Sequence, residues 1–240
     1  MNIGGIQKCS LIDYPGKISL VVFVRGCNFF CPYCHNPELF RPESGKSISG
    51  TAPSERSFGD KDLFDFLETR KKLLDGVVIT GGEPTLYHDL PYFIHRIREM
   101  GFLVKLDTNG SRPDVLQEIV DDGLTDFIAM DVKTAFSRYK PFAGPTFDAS
   151  AIFHSASIII NAPVRHEFRT TCVHPLVTDT DIQCIARMVS GADSYVLQRP
   201  GTKSVLDPDY FTHTGRPASS AELNRFLHIL SPHVRRCHVR

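Results

Sequence analysis

The 240-residue sequence predicts an α/β fold on a parallel sheet, an open or partial (β/α)6 barrel. Three observations predict it. Six short runs rich in β-branched and aromatic residues alternate with amphipathic helical patterns. The runs are apolar nearly throughout, as strands covered on both faces are. Six successive βα units fall short of the eight units and about 250 residues of a closed barrel. At 42% hydrophobic and 22% charged residues, the chain can bury one sizeable core, and it reads as a single domain over 1–240.

The elements follow in order. ISLVVFV (18–24) is the first strand and the longest apolar run, far short of the roughly 20 residues that span a bilayer. RPESGKSISGTAPSERSFGD (41–60) is rich in Ser, Gly and Pro and reads as a flexible loop. After it, Leu63, Phe64, Leu67 and Leu74 keep apolar residues on one helix face until Gly76. GVVIT (76–80) is the next strand, and His88 to Met100 the next helix, with Leu90, Phe93, Ile94 and Ile97 on its apolar stripe and Gly101 behind it. FLVKLD (102–107) follows, then a helix opened by Pro113 with Leu116, Ile119 and Val120 inward. DFIAMDV (126–132), a helix at 148–159, EFRTTCV (167–173), a helix at 179–190 and SYVLQ (194–198) continue the alternation. A helix at 218–230 and a last strand, RCHVR (236–240), complete it. In open parallel sheets, ligands gather at the carboxyl ends of the strands, so residues that carry chemistry are expected there.

Lys plus Arg and Asp plus Glu balance at 27 each, which gives no net charge to attract nucleic acid or a membrane surface. The first residues lack the basic-then-apolar layout of a signal peptide, so the expected location is the cytoplasm. Seven cysteines in a reducing compartment point to metal or redox chemistry rather than disulfides. Cys27, Cys31 and Cys34 are clustered as C-x3-C-x2-C in a loop directly after the first strand, at its carboxyl end. Cys9, Cys172, Cys184 and Cys237 are scattered and read as core residues.

Four readings of the cluster compete. CPYCH matches the c-type haem signature but leaves Cys27 without a role. Zinc held by Cys27, Cys31, Cys34 and His35 requires adjacent residues to turn onto one ion. Plain buried cysteines rarely crowd a loop rich in Gly, Pro and Asn. An iron–sulfur cluster with three protein thiolates would leave one iron open to a substrate or cofactor.

With Tyr33 before the last cysteine, the spacing resembles the signature of the radical S-adenosylmethionine (SAM) family. The resemblance implies a radical SAM barrel. It also implies a [4Fe–4S] cluster on Cys27, Cys31 and Cys34, whose open iron chelates SAM and whose electron splits it to methionine and a 5′-deoxyadenosyl radical. Further stretches match: Thr80-Gly81-Gly82-Glu83-Pro84 resembles the GGEP motif, where Glu83 would hold the SAM amino group. Asp107-Thr108-Asn109-Gly110 resembles the DTNG of glycyl-radical activating enzymes, a SAM contact and part of a monovalent-cation site. Asp131 would join that cation site, and Lys133 would meet the SAM carboxylate. Tyr33, Asn36, Arg169 and Gln198 are further expected SAM contacts. Asp13, in a D-x-P-G element, would lie near the entrance for a protein substrate.

Longer phrases (SLIDYPGK, CPYCHNPEL, DGVVITGGEPTL, GFLVKLDTNG, DFIAMDVK and HEFRTT) make the chain similar over nearly all its length to the longer anaerobic ribonucleoside-triphosphate reductase activating proteins. That implies hydrogen abstraction from a glycine of a partner enzyme, and a flavodoxin- or ferredoxin-type electron donor. It implies no nucleic-acid or membrane partner. Pyruvate formate-lyase activases share most of these residues, and a radical SAM enzyme acting on a small molecule, such as a purine-analogue synthase, is the other alternative. No eight-cysteine insert follows Cys34, which sets the chain apart from activases with extra clusters.

Overall fold

The computed structural model describes residues 1–40 and 59–240. Its first strand is one the apolar-run reading passes over. β1 (Ile3–Ser10) carries exposed Gln7, Lys8 and Cys9, which hide it from a search for apolar runs. It lies antiparallel along β2 (Ser19–Val24). From β2 onward the sheet is parallel: β3 (Gly76–Gly81), β4 (Leu103–Thr108), β5 (Phe127–Asp131) and β6 (Arg165–Thr171) pair in chain order. The chain then leaves for β7 (Val173–His174), returns as β8 (Tyr195–Gln198) beside β6, leaves for β9 (Arg216–Pro217) and ends in β10 (Cys237–Val239) beside β8. β7 and β9 form a separate antiparallel pair.

Among the described residues, six helices cross between successive parallel strands: α1 (Asp60–Glu68), α2 (Leu90–Glu99), α3 (Pro113–Asp121), α5 (Ser150–Asn161), α6 (Asp179–Met188) and α8 (Ser220–Leu230). The short α4 (Lys140–Ala143) and α7 (Tyr210–His213) lie in connections. This is the expected open α/β arrangement of six units, with one antiparallel strand added at an edge.

Several boundaries shift for physical reasons. The run 167–173 is not one strand: the ladder with β8 ends at Thr171, and Pro175, without an N–H, stops β7 after two residues. α1 ends at Glu68 instead of reaching Leu74. Thr69 turns its hydroxyl onto the Phe66 carbonyl at 2.7 Å, and a turn closed by the Leu74 N–H on the Arg70 carbonyl brings Leu74 back to the sheet. Of the segment read as a loop over 41–60, residues 41–58 lie outside the described residues, while Gly59 caps and Asp60 opens α1. Cys172 is buried as expected, Cys184 and Cys237 are half-buried, and Cys9 is exposed on β1 rather than in the core.

The alternation of strand side chains divides the interior in two. Leu20, Val22, Ile79, Leu106, Ile128, Met130 and Phe168 face outward and pack under the helices in the main core. Val21, Val78, Phe127 and Ala129 face the concave side, where Tyr14 joins them as an apolar floor. Toward the carboxyl ends the same face turns polar: Lys105 pairs in register with Phe127, Asp107 and Glu167 with Ala129, and Asp131 with Arg169. Ile94, on α2, is fully buried in the main core. Ile94→Ala should lower the stability by about 2–5 kcal/mol. In urea denaturation this would appear as a lower midpoint with an unchanged slope.

Candidate functional site

The loop that carries the three cysteines leaves the carboxyl end of β2, and the turn after β3 packs directly against its root. The Gly82 N–H bonds the Val24 carbonyl and the Glu83 N–H bonds the Gly26 carbonyl, each at 2.8 Å. A Cβ on Gly82 would stand 1.8 Å from the Gly26 oxygen, and Gly81 holds a φ of +118°, so both positions require glycine. The paired glycines therefore serve this backbone crossing, whatever they do toward a ligand.

Glu83 is 1% exposed, and its carboxylate is the hub of the next layer. Oε1 accepts from the Thr85 N–H at 3.1 Å, the Thr85 hydroxyl at 2.6 Å and the Thr108 hydroxyl at 2.8 Å. Oε2 accepts one bond, from the Asn109 N–H at 2.6 Å, and keeps acceptor capacity. Burial raises the Glu83 carboxyl above its usual range, against the pull of those donors. Asn109 carries the network on, donating from Nδ2 to Asn28 Oδ1 at 2.9 Å, while Asn28 donates to the Ser111 hydroxyl at 2.9 Å.

Beside this hub runs a row of alternating charges. Lys105 is paired with Asp107 Oδ1. Arg169 Nη1 donates to Asp107 Oδ2 at 3.1 Å and Nε to Asp131 Oδ1 at 2.7 Å, and Lys133 Nζ donates to Asp131 Oδ2 at 2.9 Å. Burial alone would raise both carboxyls; Arg169 and Lys105 outweigh it at Asp107, and Arg169 and Lys133 at Asp131, holding both below the usual range. Arg169, inside a buried strand, thus has the partners its burial demands.

Cys27, Cys31, Tyr33, Cys34, Asn36, Gly81, Gly82, Glu83, Asp107, Thr108, Asn109, Asp131, Lys133, Arg169 and Gln198 all line one cavity of about 260 Å³ at the carboxyl ends of the strands. Asp13 is not among them. It sits on the turn leading into the amino end of β2, bonded to the Ser10 hydroxyl, at the opposite end of the strand from Cys27. The cavity also takes in residues that were not expected as SAM contacts, including Phe29, His35, Thr80, Thr171 and Leu206. His35 Nε2 accepts the Gly201 N–H at 3.0 Å and so anchors the cysteine loop to a distant segment, for which no local pattern gives a signal. Lys105 did leave one: a charge in the middle of the apolar run FLVKLD.

The cavity wall suits a metal cluster and a polar ligand. The three thiols are free, and burial pushes Cys27 up to about 12 and Cys31 up to about 11, so both stay protonated until a cationic group stabilises the thiolates. Among the described residues, no three His, Cys, Asp or Glu side chains converge tightly enough for a single ion, whereas a multi-iron cluster needs thiols spread around it. The Tyr33 hydroxyl is buried on this wall with no hydrogen-bond partner among the described residues, an orphan that a bound polar group would satisfy.

The radical SAM superfamily model matches residues 21–189, and the chain belongs to that superfamily. It is 37% identical over 214 residues, 87% of this chain and 83% of the relative, to a Methanocaldococcus jannaschii protein that carries the provisional name of glycyl-radical enzyme activating enzyme. It is 31% identical to the pyruvate formate-lyase-activating enzyme of Clostridium pasteurianum over 133 residues, 55% of this chain and 52% of that one. Among solved structures, TYW1 with a lysine-pyruvate adduct bound superposes with a TM-score of 0.60 at 16% identity, covering 90% of this chain and 74% of that one, which speaks to the fold alone. The superfamily works with a [4Fe–4S] cluster and SAM, so the chain is a radical SAM enzyme. No described helix is long and apolar enough to cross a membrane.

Glu83→Gln would put an amide N–H₂ against donors that now meet a carboxylate oxygen. It should cost about 1.5–3 kcal/mol of stability, read by denaturation of the cluster-free protein. A midpoint equal to wild type would mean that the Glu83 network does not hold the strand ends together.

Proposed function

We propose that this enzyme abstracts a hydrogen atom from a glycine of a partner enzyme, leaving a glycyl radical, and that the partner is an anaerobic ribonucleoside-triphosphate reductase. The observation that carries the reading is the meeting of three free thiols and a set of strand-end polar groups on one cavity. A protein partner is favoured by similarity along most of both chains to a relative named for activating glycyl-radical enzymes. The reductase as that partner rests on the longer phrases from SLIDYPGK to HEFRTT.

In this reading Cys27, Cys31 and Cys34 hold the [4Fe–4S] cluster. When bound, the cluster supplies the electron that splits SAM to methionine and a 5′-deoxyadenosyl radical. The chain's own groups position SAM. Glu83, through the free capacity of Oε2, accepts from its ammonium. Lys133 and Arg169 present positive charge to its carboxylate, and Asp131, bonded to both, sets where they point. The Tyr33 hydroxyl has a bond to give. Gly81 and Gly82 expose backbone, and Asn36, Asn109 and Gln198 offer side-chain amides on the remaining wall. Thr108 acts through Glu83. A flavodoxin- or ferredoxin-type protein is the proposed electron donor, and residues 1–240 act as one unit.

The test is anaerobic reconstitution with iron and sulfide, then SAM and a strong reductant, with 5′-deoxyadenosine as the product measured. Wild type should form it, and Cys31→Ala should form none above background. Mixing the loaded enzyme with anaerobic ribonucleotide reductase should give a glycyl-radical signal in electron paramagnetic resonance. The same signal on pyruvate formate-lyase alone would reassign the partner, and a loaded cluster that never cleaves SAM would end the proposal.

A further inference from the structure

The resemblance to activating enzymes brings with it a monovalent-cation site on Asp107, Thr108 and Asp131, and the groups around those residues do not fit one. We propose that Lys105 is the built-in cation of this site and that no free monovalent cation binds there; the inference rests on the reading of the cavity as a SAM site.

Lys105 is 1% exposed and sits one side-chain alternation below Asp107 on β4. Its neighbours in register are Val78 on β3 and Phe127 on β5, both members of the apolar floor. Its ammonium lies 5.8 Å from the centre of the Phe127 ring, and among the described residues Asp107 is its one carboxylate partner. A buried ammonium between apolar side chains cannot be left alone, so Asp107 Oδ1 is committed to it. Asp107 Oδ2 accepts from Arg169, and the two oxygens of Asp131 from Arg169 and Lys133, so each of these oxygens already faces a cationic donor. The Thr108 hydroxyl gives its proton to Glu83 and accepts the Gly110 N–H at 3.1 Å.

Charge leads to the same conclusion. Lys105, Lys133 and Arg169 face Asp107 and Asp131, and Glu167 lies 3.9 Å from Arg169 Nη1, so three cations already meet three carboxylates without an added ion. A further cation there would be repelled by all three positive side chains. Lys133 and Arg169 can turn to a ligand's carboxylate because Lys105 stays behind to neutralise Asp107. Lys105 is therefore a positioning residue that acts on SAM through Asp107 and Arg169.

The experiment measures SAM affinity of the cluster-loaded enzyme by equilibrium dialysis in tetramethylammonium chloride, with and without potassium or sodium. Wild type should be indifferent to the small cations. Lys105→Thr should lose about tenfold or more in affinity in tetramethylammonium. It should recover most of that loss when potassium or sodium is added, a rescue that a merely structural role would not give. A wild-type affinity that rises about fivefold or more with potassium would overturn the proposal, as would a Lys105→Thr variant equal to wild type or not rescued. Thallium-205 magnetic resonance on the wild-type protein settles the matter if the variant does not fold. Broadening of the thallium line that potassium reverses would overturn the proposal, and an unbroadened line supports it. If wild type binds no SAM in any salt, the reading of the cavity fails, and the thallium result still decides whether a cation site exists.

Discussion

The site depends on one crossing of backbones: the turn after β3 resting on the Gly26 carbonyl at the root of the cysteine loop. Two 2.8 Å hydrogen bonds fix it, and the missing Cβ of Gly82 makes it possible. Because Glu83 enters through this crossing, its carboxylate lands where it can gather donors from its own turn and from the end of β4. Three consecutive strand ends are thus locked into one frame without regular secondary structure. The cysteine loop packs Phe29 and Tyr33 into the main core, and this hydrogen-bonded frame fixes its root beside that packing.

The second constraint is electrostatic. Parallel strands covered on both faces are normally apolar, yet this sheet buries Lys105 and Glu167 and half-buries Asp107, Asp131 and Arg169 along its concave side. Desolvating charges in this way costs free energy that pairing only partly returns, and such arrangements seldom persist for stability alone. The charges climb from the floor toward one end: Lys105 lies level with Phe127, Asp107 and Glu167 level with Ala129, and Asp131 and Arg169 one step beyond. Apolar packing therefore resides mainly in the outer core, and the charges converge on the candidate site.

The parallel sheet and its six helices were legible because apolar strand runs and helical stripes at a 3.6 period leave unambiguous marks. β1 was not, since an edge strand needs only one apolar face and its exposed Gln7, Lys8 and Cys9 read as loop. Residues of the candidate site were legible where they fall in short patterns at strand ends, as with Cys27, Glu83 and Asp107, all of which line the cavity. What local pattern could not reveal was how those groups are spent. The commitment of Thr108 to Glu83, of Asp107 to Lys105, and of His35 to Gly201 depends on residues brought together from distant stretches. Asp13 shows the converse, a motif whose turn lies at the other end of its strand from the cysteines.

The irregular register of β1 has a consequence of its own. A sheet that does not close leaves a ladder of unpaired N–H and C=O groups on its outermost strand, a template on which other chains can assemble into aggregates. Here that strand slips against β2 between Ile3 and Gly5 and again between Gln7 and Ser10, and it turns Gln7 and Lys8 to solvent. A kinked, charged border is a poor surface for a second strand to zip onto. The exposed polar residues that hide β1 from pattern reading, together with its slipped register, guard the open sheet against edge-to-edge self-association.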